Sequence, residues 1–449
     1  MDATLIPEEY WQNLESHFGK TVCEKVREGF SKPASVSIRN HSKKGIETSN
    51  FEKVAWCENG FLLGDRPVFA LDPLFHAGSY YVQDSSSMIL SAVLNALPLA
   101  SKDLFVLDAC AAPGGKSSLI LDFLDGEGFL VSNEIDGKRN DILEENIVKW
   151  GHANVAISRH DTAKLGELTS TFDVIVVDAP CSGEGMFRKD AFAIEQWNQN
   201  LINQCATMQE NIIVNLTDCL KTEGFLIYCT CTTNKVENEE QVIQLIESGD
   251  YELATPNIGS IGDKLIPVHH NESILGYYLL AGISTGEGQF VSVLRKRTNS
   301  GVLNVPKKRR ISISEAEIDL IEFGSNNEYE GYWTKENQVF GLTGNIEFIQ
   351  NLPNQFVFRS IGLPILEEEG KKRIPLHGLA LDYRTQPHVN LNLEEALSYL
   401  RKDSISASNF EGHGWKIVGY ENRPLGWVKA LQNRVNNYYP IKYRLRLKE

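Results

Sequence analysis

The sequence predicts a doubly wound α/β domain with a mostly parallel sheet, flanked by a small α+β unit before it and a mostly-β region after it. Three observations predict this. Short, buried-looking strands at 104–109, 129–135, 154–158, 173–178 and 224–229 alternate with helical patterns at 115–124, 136–151, 198–221 and 235–247, the rhythm of βαβ units. The charge is uneven: residues 81–290 carry 12 Lys/Arg against 30 Asp/Glu, and residues 291–449 carry 23 against 18. The strands also end in turns rich in Gly, Pro, Asp and Cys, where open α/β sheets bind ligands.

Each part follows from local pattern. Residues 1–78 read as an α+β unit. A helix-like spacing of Leu5, Ile6, Tyr10, Leu14 and Phe18 runs from Asp2 to Phe18. Short strands with turns at Lys43-Lys44-Gly45 and Glu58-Asn59-Gly60 fill 34–76. Residues 79–297 hold the α/β alternation. It closes with strands at 276–283 and 289–297 around Thr285-Gly-Glu-Gly288, a hairpin signal that adds an antiparallel edge. Residues 298–312, polar and basic with Gly and Pro, form a linker. An intermediate α+β region at 313–380 opens with a helix near 313–323, and short strands with Gly, Asn and Pro turns fill 381–449.

Composition sets outer bounds. The 449 residues are 42% apolar and 23% charged, with a net charge of −15. These are values of a folded, water-soluble chain rather than of a disordered or fibrous one. No apolar run approaches the ~20 residues a membrane helix needs, and the first residues lack the pattern of a signal peptide. A cytosolic location is expected. There the eight cysteines stay reduced, and their spacing offers no zinc set, so no metal is expected.

The first chemical constellation follows strand 104–109, in Asp108-Ala-Cys110-Ala111-Ala112-Pro113-Gly114-Gly115-Lys116. A glycine-rich turn between strand and helix lets backbone N–H groups approach a ligand at the positive end of the helix. Glu134 ends the second strand, where a carboxylate accepts ribose hydroxyls. Asp161 follows the third strand, placed to meet an adenine edge, and Asp178 ends the fourth. A P-loop would need Gly at position 110, which is Cys. The acidic set suits a hydroxyl-rich, cationic adenosyl sulfonium better than a triphosphate.

The second constellation is Asp178-Ala-Pro180-Cys181-Ser-Gly-Glu-Gly185 with Cys229-Thr-Cys231, on two strands expected to be neighbours. Two thiols and a carboxylate would then face one pocket. Methylating carbon 5 of a pyrimidine calls for such a set. A thiolate adds to carbon 6, a carboxyl group stabilises the ring, and a base removes the carbon-5 proton. Cys23, Cys57, Cys205, Cys219 and Cys229 read as packing residues.

On Ala112-Pro-Gly-Gly-Lys116, Asp178-Ala-Pro-Cys-Ser-Gly-Glu-Gly185 and Thr230-Cys-Thr232 with Glu237-Asn-Glu239, residues 80–297 resemble the Nol/Nop/Sun family of RNA cytosine-C5 methyltransferases. Arg188-Lys-Asp190 and the C-terminal Gly414-Trp415, Pro424-Leu-Gly-Trp427 and Asn436-Asn-Tyr-Tyr-Pro440 are similar to the bacterial F-type 16S rRNA subgroup. The resemblance implies a Rossmann-like S-adenosylmethionine methyltransferase domain, an RNA-binding N-terminal domain and a PUA-like RNA-binding end at 381–449. It implies Cys231 as nucleophile, Cys181 as the residue assisting product release, and cofactor contacts from Cys110 to Lys116, Glu134, Asp161 and Asp178. Position 229 departs from the pattern, being Cys where Ser or Ala is usual, as does Ala281-Gly282 ahead of Gly286.

The RNA partner is expected to be 16S rRNA or the small ribosomal subunit, with tRNA as the alternative, and the enzyme a monomer without membrane contact. Arg295-Lys-Arg297, Lys307-Lys-Arg-Arg310, Lys371-Lys-Arg373 and an alternating last strand of Lys442, Arg444, Arg446 and Lys448 are candidate phosphate contacts. Trp427, Tyr438 and Tyr439 are candidate stacking residues. A P-loop NTPase and a non-catalytic RNA-binding assembly factor are the rival classes.

Overall fold

A computed structural model describes residues 5–262, 264–298, 301–406 and 410–447. The chain opens with helices Glu8–Phe18 and Lys20–Phe30. The first begins after Pro7, a residue suited to a helix start but not its interior; residues 2–4 of the expected helix lie outside the described residues. An antiparallel four-stranded sheet follows, in the order Glu52–Lys53, Gly60–Leu63, Val36–Asn40, Tyr80–Val82.

The central sheet carries five parallel strands in the order Leu220–Thr230, Phe172–Asp178, Phe105–Asp108, Phe129–Asn133, Val155–Ser158. Their side chains are almost wholly buried; Leu107, Leu130, Val131 and Val176 are 0% exposed. Burial of each such side chain contributes about 1.5–3 kcal/mol. Strand order reverses at Phe105–Asp108, so the turns after it and after its neighbours open into one crevice.

Antiparallel strands extend one side: Gln289–Lys296 pairs with Leu220–Thr230, then come Ser273–Leu279 and Ile266–His270. The expected hairpin is present. Its first strand stops at Leu279, and residues 280–288 form the connection. Helices Gly115–Leu124, Gly137–Trp150 and Gln199–Thr217 stand where the sequence placed them. The next begins only at Glu239, because the Asn234 side chain accepts from the Glu237 backbone and holds 234–238 as a turn.

At the opposite side the sheet gains Phe358–Ile361, antiparallel to Val155–Ser158. The helix expected near 313–323 is absent except for a 3-10 turn at Ile321–Phe323. Ser314 exchanges backbone hydrogen bonds with Tyr332 instead, which draws the segment into extended pairing. A four-stranded antiparallel sheet (Gly331–Lys335, Gln338–Leu342, Leu363–Glu369, Lys372–Pro375) and a second of Val389–Asn390, Gly414–Tyr420, Arg423–Ala430 and Val435–Asn437 complete the chain. The alternating last strand is not formed. Pro440 leads into a 3-10 turn at Ile441–Tyr443 with no strand through 447, so Lys442, Arg444 and Arg446 share no sheet face; Lys448 lies outside the described residues.

Buried polar contacts tie the parts together. The Arg39 guanidinium, on the N-terminal sheet, donates to Asp122, Gln83 and Ser118 and covers the Trp150 ring. The Lys44 ammonium donates to the Lys149 and Leu381 carbonyls at 2.7 and 3.0 Å, and its burial lowers its pKa to about 7. No described helix is long and apolar enough to cross a membrane.

Candidate active site

The turn after Phe105–Asp108 takes its shape from Gly114, which sits at φ +108° where a side chain would be strained. Gly114 is the N-terminal cap of Gly115–Leu124. The preceding turn is stitched to its neighbours: Ala109 N–H donates to the Val176 carbonyl and Ala111 N–H to that of Asn133. Asp108, fully buried, accepts from the Ser117 hydroxyl at 2.6 Å. Burial pushes its pKa up to about 7.

A pocket of about 510 Å³ lies over these strand ends. Of the turn residues, Cys110, Ala111, Ala112, Pro113, Gly115 and Lys116 line it, as do Asp178, Cys181 and Cys231. The Lys116 ammonium lies 2.8 Å from Asp178. Burial works against that ammonium's charge, but Asp178 outweighs it and holds the pKa above its ordinary value. Cys110 is a neutral wall, since burial with Asp108, Asp178 and Glu134 nearby drives its thiol far up.

Glu134 sits beside the pocket, buried and not among its lining residues, with Oε1 accepting from Asp136 N–H at 3.0 Å. Its Oε2 accepts no hydrogen bond and lies 3.3 Å from the Arg139 guanidinium, which lines the pocket. Asp161 takes a different part. It is exposed, caps the short helix Thr162–Leu165 by accepting from Lys164 N–H at 2.7 Å, and is not among the lining residues.

The two cysteine turns converge. Asp178 pairs in register with Cys229 on the next strand, so residues just beyond both strand ends meet. The Cys181 and Cys231 sulfurs are 3.2 Å apart. The hydrogen bond with Cys231, with burial added, holds the Cys181 thiol well above the ordinary thiol range. The two sulfurs share one hydrogen bond in which either can donate. Cys229 is fully buried, its thiol pushed up to about 12, and packs in the core.

The loops have little freedom. Gly185 N–H donates to the Cys231 carbonyl at 2.7 Å. Glu237 accepts from Ser182 N–H and from the Gln209 amide, which also holds the Pro180 carbonyl. Asn238 donates to the Thr232 carbonyl, and Glu184 accepts from the Thr233 N–H and hydroxyl. Glu237 and Asn238 thus fasten one cysteine turn to the other.

Sequence reasoning missed the pocket's far wall. Tyr81, Gln83 and Asp84, from the end of the N-terminal unit, line it with Lys189, Glu287 and Gln289. Lys189 bridges Asp84 at 2.7 Å, and Arg188 pairs with Glu287 at 2.6 Å. The run Arg188-Lys-Asp190 was the one available signal. Among the C-terminal stacking candidates, Trp427 and Tyr439 are 1% and 2% exposed and belong to the core; Tyr438 alone reaches the surface. The Trp427 indole N–H is held by the Leu376 carbonyl.

Comparisons with known proteins place this site in context. The model of 16S rRNA methyltransferase RsmB/F matches residues 95–277. Those of the N-terminal domain of 16S rRNA methyltransferase RsmF and of the methyltransferase RsmF PUA domain match residues 6–85 and 386–445. Ribosomal RNA small subunit methyltransferase F of Aeromonas salmonicida is 31% identical over 408 residues, covering 87% of this chain and 84% of the relative. Its counterpart from Shewanella loihica is 29% identical, covering 91% and 89%. Among solved structures, a methyltransferase homolog protein from Pyrococcus horikoshii superposes with a TM-score of 0.53 at 25% identity, over 64% of this chain and 93% of its own. NSun6 from Pyrococcus horikoshii with SFG gives 0.55 at 19% identity, over 65% and 99%, a likeness of fold.

Proposed function

Since the chain belongs to the ribosomal RNA small subunit methyltransferase F family, we propose that it methylates carbon 5 of a cytosine in 16S rRNA, with S-adenosylmethionine as donor and Cys231 as nucleophile. The observation that carries this reading is the pair of sulfurs 3.2 Å apart beside Asp178. That is the equipment for adding to a pyrimidine and then releasing it.

The pocket suits the donor. Glu134 offers a buried carboxylate oxygen without a hydrogen-bond donor, which a ribose hydroxyl satisfies. When bound, S-adenosylmethionine supplies the electrophilic methyl group. The rest is the work of this chain. The Cys231 thiolate forms a bond to carbon 6, and the ring electrons move to carbon 5. N3 takes up a proton from solvent as the ring electrons shift and gives it back when the ring re-forms; Asp178, poised by Lys116, accepts from that N3–H and from the exocyclic amine and so stabilises the protonated ring. Carbon 5 then carries both the new methyl group and its proton. The Cys181 sulfur, as thiolate, takes that proton, the carbon 5–carbon 6 double bond re-forms, and the Cys231 sulfur leaves. For Cys181 to serve as base, its proton must pass to solvent after Cys231 has bonded to carbon 6, because the bonded sulfur no longer accepts it. The target base must leave its stack to reach this depth.

The P-loop reading loses support here, because Lys116 is committed to Asp178. RNA labelled with tritium at cytosine carbon 5 tests the proposal. Methylation there releases tritium one for one with methyl transfer from the donor. Tritium release from 16S rRNA or small subunits in excess over tRNA is expected; methyl transfer without tritium release places the methyl group elsewhere.

A further inference from the structure

We infer that the cleft between the N-terminal sheet and the C-terminal end of helix Gly137–Trp150 is a nucleotide subsite. It would hold a base of the substrate RNA next to the one being methylated, and the inference rests on the RNA-methylating reading above. The cleft, of about 260 Å³, is walled by Phe69, Phe75, Tyr81 and Trp150, with Arg66 and Lys149 at its edges. None of its lining residues is acidic.

Position identifies the occupant. Tyr81 and Val82 line both this cleft and the catalytic pocket, so the two adjoin across the strand that carries them. The Tyr81 hydroxyl donates to the Pro113 carbonyl at 3.1 Å, and Asn146 donates to the same carbonyl at 2.8 Å. This wall is therefore part of the cofactor turn. We place the neighbour of a nucleotide flipped into the catalytic pocket against that wall.

Chemistry agrees. Aromatic faces stack on any base, and nearby cations meet the phosphates. The Phe75 ring is about half-buried, with the Lys149 ammonium 4.9 Å from its centroid; that ammonium is largely buried and paired with Glu145 at 3.1 Å, which leaves Arg66 to meet a phosphate. Arg66 is exposed, lies 5.7 Å over Phe69, and has no ion pair among the described residues. The floor needs glycine: at Gly78 (φ +67°), a Cβ would lie 2.1 Å from the Lys149 carbonyl oxygen. That contact sets the aromatic loop flush against the helix end.

The test uses the full chain and 16S rRNA or small subunits, with tritium release and methyl transfer as readouts. Phe75→Leu and Arg66→Ala should each raise the KM for RNA about tenfold, equivalent to about 1.4 kcal/mol and within what stacking on one side chain supplies. The Kd for S-adenosylmethionine and kcat at saturating RNA should stay within about twofold. Phe75→Tyr, which keeps the ring, should retain the unaltered KM. RNA carrying 4-thiouridine beside the target cytosine should crosslink to residues 66–82. An unchanged KM in both variants with an active parent protein, or crosslinks confined to residues 386–447, overturns the subsite alone. A parent protein that transfers no methyl group to any RNA overturns the reading beneath it as well.

Discussion

Replacing Glu134 isolates the buried carboxylate beside the pocket, proposed above to accept from a ribose. One oxygen is committed to Asp136 N–H, and the other is buried beside Arg139 with no donor. A hydrogen bond to a charged acceptor contributes about 1.5–3 kcal/mol, a neutral one about 0.5–1.5. Glu134→Gln keeps the shape and one carbonyl oxygen, so the loss is the difference, about 1–1.5 kcal/mol, or roughly five- to tenfold in Kd for S-adenosylmethionine. Glu134→Ala forfeits the whole bond, roughly 10- to 150-fold. Without ligand, that oxygen keeps only its ion pair with the exposed Arg139, which contributes about 0–1 kcal/mol, so the unfolding free energy of the glutamine variant should stay within about 1 kcal/mol of the parent. Isothermal titration with the donor measures the first quantity and urea unfolding the second. A natively folded Glu134→Ala protein that binds the donor as tightly as the parent would refute the reasoning.

Other consequences concern the scaffold. Arg39→Ala strands the buried Asp122 carboxylate, whose pKa burial already raises, and should cost about 3–5 kcal/mol in urea unfolding. His152 is buried with neither ring nitrogen hydrogen-bonded, and burial lowers its pKa to about 3. A depressed histidine contributes stability that is present above its unfolded pKa of about 6.5 and is lost as pH falls toward 3. His152→Phe should therefore shrink the acid-side loss, by up to about 1.4 kcal/mol per pH unit between pH 6 and 4; denaturation midpoints across that range check it. A Cβ at Gly185 would lie 2.8 Å from the Cys231 carbonyl oxygen and 3.1 Å from its Cβ. Gly185→Ala should lower kcat at least tenfold while leaving the donor's Kd unchanged, as single-turnover kinetics and titration would report.

The sheet and the cysteine pair were legible because parallel strands are short, buried apolar runs whose ends mark the crevice. Once Asp178 and Cys229 are read as neighbouring strand ends, the meeting of Cys181 and Cys231 follows from register. The far wall was not legible. Tyr81, Gln83 and Asp84 reach the pocket only because Arg39 docks the N-terminal sheet onto Gly115–Leu124, a contact 83 residues apart in sequence. Aromatic residues near the C-terminus looked like stacking platforms, yet composition does not say which face is outward; Trp427 and Tyr439 face the core. The alternating charges at 442–448 failed for a related reason. A period of two implies one face only where a strand forms, and Pro440 with the 3-10 turn after it prevents that. Asp161 follows the third strand as expected and caps the next helix through Lys164 N–H, outside the residues that line the pocket.

The identity of the sulfur that bonds to RNA is the most direct test of the account. Cys181→Ala and Cys231→Ala proteins would be incubated with 16S rRNA or small subunits and S-adenosylmethionine, denatured, and mapped by mass spectrometry for protein–RNA crosslinks. The Cys181→Ala protein, able to add but impaired in release, should accumulate an adduct through Cys231, and the Cys231→Ala protein should form none. An adduct that survives Cys231→Ala, or that maps to Cys181, would contradict the account.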